Sequence, residues 1–312
     1  MRAKSKPVVR SLNYEIDVAV PYRLDLTVSV LRRLSANIVD LLTPDGGYVR
    51  AFGGFSEPLI VRVTQKRPDL LAVALDGELD EHPRALALVR RMLGVDRELT
   101  HFNRAAARIS WLRPLATRMR GVKPPRYPTL WEACVNAIVF QQVSLHAASS
   151  ILRKMILEVG TPVTCDGSTF HAFPSVESVQ DAEDDALLAA GLSGNKLATL
   201  RRVGDVLLSG KLDEAMLEER ASPDALELLC RIKGIGPWTA TVILLRGLGR
   251  LDVFPMNDSS VARNLALVAG SAPLDVEQIL RALGPQKGML YYHLLLARLE
   301  VRDDVGRASA SS

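Results

Sequence analysis

Hydrophobic and polar positions keep one rhythm in the first third of this chain and another afterwards. From 14 to about 95 the dominant period is two. Tyr14-Glu15-Ile16-Asp17-Val18-Ala19-Val20 alternates, as does Leu59-Ile60-Val61-Arg62-Val63-Thr64, and Leu71-Ala72-Val73-Ala74-Leu75 is a short apolar run ahead of Asp76-Gly77. Alternation sends successive side chains to opposite faces, so these segments predict strands. Positions 25–34 predict a helix between the first two strands, and Gly46-Gly47 and Gly53-Gly54 mark turns. Helical spacing then dominates. It predicts helices near 83–93, 130–141, 145–159, 184–190, 196–208 and 212–219, followed by those of the stretch 226–265. No internal repeat interrupts this order.

That last stretch carries the most information. Leu226, Leu229 and Cys230 recur at helical spacing, with Ser222-Pro223 read as an N-cap followed by proline in the first turn. Gly234 stands where a helix ends in a left-handed residue, and Gly236-Pro237 opens a second helix. Between them the backbone lacks Cβ atoms, and the N–H groups and positive dipole end of the second helix face outward, which suits an anion. The bland alternative is a helix C-cap and a tight turn. Beyond the second helix, Asp258 precedes Ser259-Ser260 and the apolar run Val261, Leu265, Val268, so it is expected at a helix start. There it either caps the helix or serves as a carboxylate whose ionised form the helix dipole favours.

Farther upstream, Thr129-Leu130-Trp131-Glu132 is a capping box that opens a helix. Ser144 is placed to cap the next one. Gln141 and Gln142 then fall on a short exposed link between helices.

Composition narrows the class. The chain has 312 residues, 48% of them hydrophobic and 5% aromatic, with a formal charge of +4. That length allows two domains and a large core, and the charge permits a polyanionic partner. Positive charge concentrates in 104–126, where Arg108, Arg113, Arg118, Arg120 and Lys123 surround Trp111 without an acidic residue. This is a phosphate-facing surface or simply a solvated face. Neither an apolar stretch of membrane-spanning length nor a signal peptide is visible, and the scattered Cys134, Cys165 and Cys230 suit a reducing compartment, so a cytoplasmic location is expected. Three separated cysteines cannot supply a four-cysteine iron–sulfur cluster. The five histidines (His82, His101, His146, His171, His293) show no zinc-ligand spacing.

Several motifs agree in order with one family. Ala137-Ile138-Val139-Phe140-Gln141-Gln142-Val143-Ser144, Gly191-Leu192-Ser193 with Lys196, Ile235-Gly236-Pro237-Trp238-Thr239-Ala240, Leu244-Leu245-Arg246-Gly247, and Asp252-Val253-Phe254-Pro255 followed by Asn257-Asp258 resemble the helix-hairpin-helix DNA glycosylase superfamily. Within it the chain looks most like the bacterial 3-methyladenine DNA glycosylase II branch, over about 129–299. The resemblance implies a mostly α fold: a basic segment 1–13, a small N-terminal α+β domain with an antiparallel sheet at 14–95, two helical lobes with the active-site cleft between them at 96–303, and a disordered tail at 304–312.

The resemblance also implies roles. Asp258 would be the catalytic residue that supports positive charge on the sugar as an N-glycosidic bond breaks. Gln142 would be the duplex wedge that fills the gap left by an extruded base. Lys233, Gly234, Ile235, Gly236 and Thr239 would hold a DNA phosphate. Trp238 would line the base pocket, where aromatic stacking suits an electron-poor alkylated purine. Two further pocket aromatics of the branch fall on Val242 and Leu295. Tyr291 and Tyr292 lie near the second position, and adjacent helical residues point about 100° apart, so at most one of them can compensate. Relatives that also cut the strand carry a Schiff-base lysine where this chain has Trp238, so base excision without lyase activity is expected. Double-stranded DNA is the implied partner, a monomer the implied state, and no cofactor is required, although the resemblance allows a monovalent ion between hairpin carbonyls and a phosphate. Each role has a structural alternative: Trp238 as core, the glutamines as solvated junction residues. Two other functions stay open as well: a glycosylase for deaminated or mismatched bases, and a non-catalytic DNA-binding module.

Overall fold

The computed structural model describes residues 10–165, 167–256, 258–270 and 274–305. Most of the expected basic segment (1–9), Asn257 and the tail from 306 lie outside the described residues. Strands β1 (Arg10–Asp17), β2 (Leu41–Leu42), β3 (Tyr48–Phe52), β4 (Leu59–Arg67) and β5 (Leu70–Gly77) form one antiparallel sheet in the order β1-β5-β4-β3-β2. Alternation decides its faces. Leu59, Val61 and Val63 of β4 and Leu71, Val73 and Leu75 of β5 are all buried on the side covered by helices α1 (Leu24–Arg32) and α2 (His82–Leu93).

The other face of the sheet is covered as well. A hairpin of β6 (Thr161–Cys165) and β7 (Ser168–Ala172), inserted among the helices, packs Val163, Phe170 and Ala172 against Ala51, Val49 and Ile60. Sequence periodicity did not predict this hairpin, nor β2 and β3. Only Val163 of β6 is buried, so β6 carries almost no alternating signal; the Asp166-Gly167 pair was the usable clue.

The remaining helices are α3 (Thr100–Ala106), α4 (Arg113–Arg118), α5 (Leu130–Val139), α6 (Leu145–Val159), α7 (Val176–Asp181), α8 (Asp184–Ala189), α9 (Gly194–Leu208), α10 (Glu214–Glu218), α11 (Ser222–Cys230), α12 (Pro237–Arg246), α13 (Ser259–Ala269), α14 (Val276–Leu283) and α15 (Met289–Val301). They build two apolar clusters. One joins α3, α4, α13, α14 and α15; the other joins α5 to α12 around Ile138, Leu200 and Ile243. None of the helices, among the described residues, is long and apolar enough to cross a membrane.

Helix α1 ties the sheet to the first cluster. Leu24, Val28 and Leu31 face the sheet, while Leu26 and Val30 enter the helical core, so the helix is buried on nearly every side. A buried ionic network makes a second tie. Arg50 of β3 donates to Asp40 at 2.7 Å and to Glu132 of α5, and Tyr48 donates to Asp40. The capping-box pattern assigns Glu132 only the third position after the Thr129 cap. Its side chain instead reaches the sheet, while Thr129 caps α5 alone.

Two further expectations need correction. Ala221, not Ser222, is the N-cap of α11; Ser222 begins the helix, and its hydroxyl accepts a hydrogen bond from Arg250. In the basic stretch, Lys123 and Arg126 are buried, Lys123 donating to the Arg97 carbonyl and Arg126 to Glu214, Glu218 and the Gly247 carbonyl. Only Arg104, Arg108, Arg113, Arg118 and Arg120 keep that stretch solvated.

Candidate active site

An open cleft of roughly 1000 Å³ runs between the two helical clusters and is lined by Gln142, Gly234, Gly236, Trp238, Thr239, Asp258 and Tyr291, whereas Lys233, Ile235 and Tyr292 of the expected site do not line it. The turn after α11 and the first turns of α12 form one rim. Gly234 has φ +102°, and a Cβ there would lie 2.1 Å from the Thr199 hydroxyl, so both backbone and space require glycine. Gly236 is the N-cap of α12 and Pro237 sits in its first turn, where an N–H would have had no helical partner. The turn leaves Lys233 and Gly234 exposed. Ile235 and Thr239 are buried, so they can offer an anion only their backbone.

Thr239 has another task. Gln141 donates to its hydroxyl at 2.8 Å and to the Gly234 carbonyl at 3.1 Å, fastening the α5–α6 link to the hairpin. Ser144 caps α6 through the Ala147 N–H. Gln142, between these anchors, is exposed with φ +55° and lines the cleft. The neighbouring α5 ends at Val139, whose carbonyl accepts from Lys196 at 2.8 Å, a cation at the negative end of a helix. Burial lowers the Lys196 pKa.

Asp258 is the N-cap of α13. Its Oδ1 accepts from the N–H groups of Ser260 at 2.7 Å and Val261 at 3.1 Å. Its Oδ2 accepts from the Trp238 indole at 2.9 Å. The carboxylate is therefore aimed by two elements at once: the cap sets one oxygen, the indole the other. Capping and an ionised carboxylate, alternatives at Asp258 in the sequence, coexist here, and no sequence pattern signals the bond to Trp238.

The cleft walls combine Trp238, Phe140 and Tyr291 with aliphatic Val242 and Leu295. Tyr291 lines the cleft. Tyr292 does not: it is fully buried, and its hydroxyl donates to the Leu245 carbonyl at 3.0 Å. The two residues point apart around α15, as the 100° step demands. Phe140 was missed as a wall residue, although it lies in a motif that had been singled out.

Arg33 was missed altogether. It follows α1, is 6% exposed, and stacks its guanidinium 4.0 Å from the centre of the Phe140 ring while lining the cleft. Burial, and then the like charge of Arg246, pull its pKa below the usual range. Arg263, Arg298 and Arg302 line the cleft too. No local pattern marks these arginines; only the fold brings them together.

Residues 135–286 match the HhH-GPD superfamily of base excision DNA repair proteins. A DNA-3-methyladenine glycosylase of Bacillus subtilis is 25% identical over 180 residues, 58% of this chain and 59% of that protein. The aligned segment thus spans less than two thirds of that relative. Among solved structures, a 3-methyladenine DNA-glycosylase from Archaeoglobus fulgidus superposes with a TM-score of 0.78 at 24% identity, covering 92% of this chain and 99% of that one. An 8-oxoguanine glycosylase/lyase of Clostridium acetobutylicum in complex with double-stranded DNA gives 0.71 at 14% identity, over 94% and 98% of the two chains.

Proposed function

Because this chain belongs to the HhH-GPD superfamily of base excision DNA repair proteins, we propose that it is a monofunctional DNA glycosylase that flips alkylated purines out of duplex DNA and excises them. The observation that carries this reading is Asp258, held at the cleft between the α13 N-terminus and the Trp238 indole. Heterolysis of the N-glycosidic bond leaves positive charge on the sugar, and a fixed carboxylate beside the anomeric carbon stabilises it. The hairpin turn with Lys233 and Gly234 grips a phosphate through backbone N–H groups, and Arg263, Arg298 and Arg302 favour the same polyanion. Gln142, raised on its link, enters the space the base vacates.

Trp238, Phe140 and Tyr291 offer faces on which 3-methyladenine or 7-methylguanine can stack. The fold is shared with a lyase, so the monofunctional reading is supported by side chains alone. An indole stands at 238, and no lysine lines the cleft among the described residues. The reading requires no cofactor and takes the protein to act as a monomer.

Incubation with methylated duplex DNA tests it. Release of 3-methyladenine and 7-methylguanine is expected, with strand breaks appearing only after alkali. Asp258→Asn keeps one carbonyl oxygen to cap α13, but it turns an amide donor toward the Trp238 indole and loses the negative charge, so lesion-DNA binding should persist while release falls by about 10²–10³. Unchanged turnover in that variant defeats the assignment of Asp258; breaks without alkali defeat the monofunctional one.

A further inference from the structure

The fold needs no cation at position 33. An aliphatic side chain would pack on Phe140 as well, without the loss of hydration that a buried charge suffers. Arg33 nevertheless lies 94% out of solvent (6% exposed), and its Nη1 has no hydrogen-bond partner among the described residues. Its backbone is unusual too. At φ +61° and ψ −69° it closes α1 in a region that a residue with a Cβ rarely adopts, a strain of about 1–3 kcal/mol that concentrates at functional positions. An unsatisfied donor, a buried charge and a strained backbone coincide at one residue in the wall of the cleft that holds Asp258.

We propose that Arg33 is a specificity-determining residue, whose guanidinium donates to a carbonyl oxygen on the extruded base and so turns the site toward neutral purines bearing such an acceptor. This rests on the glycosylase reading above and adds a deaminated purine, hypoxanthine, to the alkylated purines proposed there. A purine alkylated at N3 or N7 carries a positive charge while still joined to its sugar, and the fixed cation of Arg33 repels it. Hypoxanthine is neutral and presents its 6-oxygen. When its glycosidic bond breaks, both electrons leave with the base. Arg33 stabilises the resulting anion through that oxygen, water delivers hydroxide to the sugar carbon, and the water's proton passes to the base. Cationic purines leave as neutral bases and need no such help. Stacking on Trp238 serves both classes, so Arg33 sets the ratio between them.

Release of hypoxanthine and 7-methylguanine from matched duplexes measures that ratio, since both bases carry a 6-oxygen and only the second is cationic. In Arg33→Met, hypoxanthine release is expected to fall about tenfold to a hundredfold, the size of a hydrogen bond to a charged group, while 7-methylguanine release holds or rises. Arg33→Lys keeps the charge but not the planar fork, and should fall between. The ratio is taken within one preparation, so partial misfolding cannot mimic the effect. A parallel fall of both activities, or wild-type release of 7-methylguanine without hypoxanthine, overturns the role of Arg33 and leaves the glycosylase reading standing. Wild-type protein that releases neither base overturns both.

Discussion

On one wall of the cleft, Asp258 and Trp238 stand 20 residues apart in the chain and are joined by a hydrogen bond. A helix cap fixes the carboxylate and a glycine turn fixes the helix that bears the indole. On a second stretch of wall, Arg33 and Phe140 come from the end of α1 and the end of α5 and meet by ring stacking. Behind them Arg50, Asp40 and Glu132 are buried together, and Arg50 Nε, Arg246 Nε and Arg246 Nη1 have no hydrogen-bond partner among the described residues. The first wall is assembled by local rules that pair each polar atom of its carboxylate. The second is assembled by packing between distant segments, and it holds charge that is incompletely paired. Chemistry on the first wall is therefore robust to changes elsewhere, whereas the second wall depends on the interior behind it.

Breaking the second wall from behind should give the largest effect. Arg50→Met leaves Asp40 and Glu132 as adjacent buried carboxyl groups, and removing one partner of a buried ionic group costs about 3–5 kcal/mol. Urea denaturation measures it. The loss should depend on pH in a defined direction. Burial pushes the Glu132 carboxyl up to about 7 even though Arg50 pulls it down, so removing Arg50 raises it further. A carboxyl whose folded pKa lies above its unfolded value adds no penalty below the unfolded value, and adds more as pH rises through the window between them. Wild type carries the same growing penalty up to its own folded value, so the variant's deficit should stay level to about pH 7 and widen from there to about pH 9. A deficit constant across that range would show that the carboxyl groups do not titrate, and that the wall is held by packing alone.

The first wall is tested at the hairpin. Gly234→Ala forces a Cβ into the left-handed region and against the Thr199 side chain, whose hydroxyl is itself bonded to the Asn195 carbonyl. Strain and overpacking together should cost about 2–3 kcal/mol, or else the turn shifts and the phosphate grip weakens. The unfolding midpoint and the salt slope of DNA binding separate these outcomes. A variant unchanged in both would remove the hairpin from the binding surface.

This contrast also explains which parts of the molecule the sequence made legible. Gly236-Pro237, the Ser144 cap and the Asp258 cap are each a rule about a few consecutive residues, and each stands where the pattern placed it; Gly234 has the expected positive φ, although α11 ends earlier, at Cys230 with Arg231 as its C-cap. Strands β4 and β5 were visible because one face of each is deeply buried. Strand β6 was not, since most of its side chains are exposed or partly so. Arg33 was invisible for a different reason. Arg32-Arg33 at the end of an amphipathic segment reads as a solvated helix terminus, and only the docking of α1 against α15 turns that terminus inward. Tyr292 erred in the opposite sense: its type suits a base pocket, and only the phase of α15 shows that it faces the core.

The smallest effect tests whether the first wall works as a unit. Trp238→Phe keeps an aromatic face in the cleft and removes the one indole N–H that orients Asp258 Oδ2. The cap bonds from Ser260 and Val261 to Oδ1 remain, so α13 should stay in place and thermal stability should hardly move. Losing one hydrogen bond worth about 1–1.5 kcal/mol should lower base release about tenfold, in kcat rather than KM, because stacking and phosphate contacts persist. A rise in KM alone would make Trp238 a wall against which the base stacks and nothing more. A fall as deep as that of Asp258→Asn would show that an unoriented carboxylate is as ineffective as an absent one, and would make the orientation of Asp258 the source of its catalytic power.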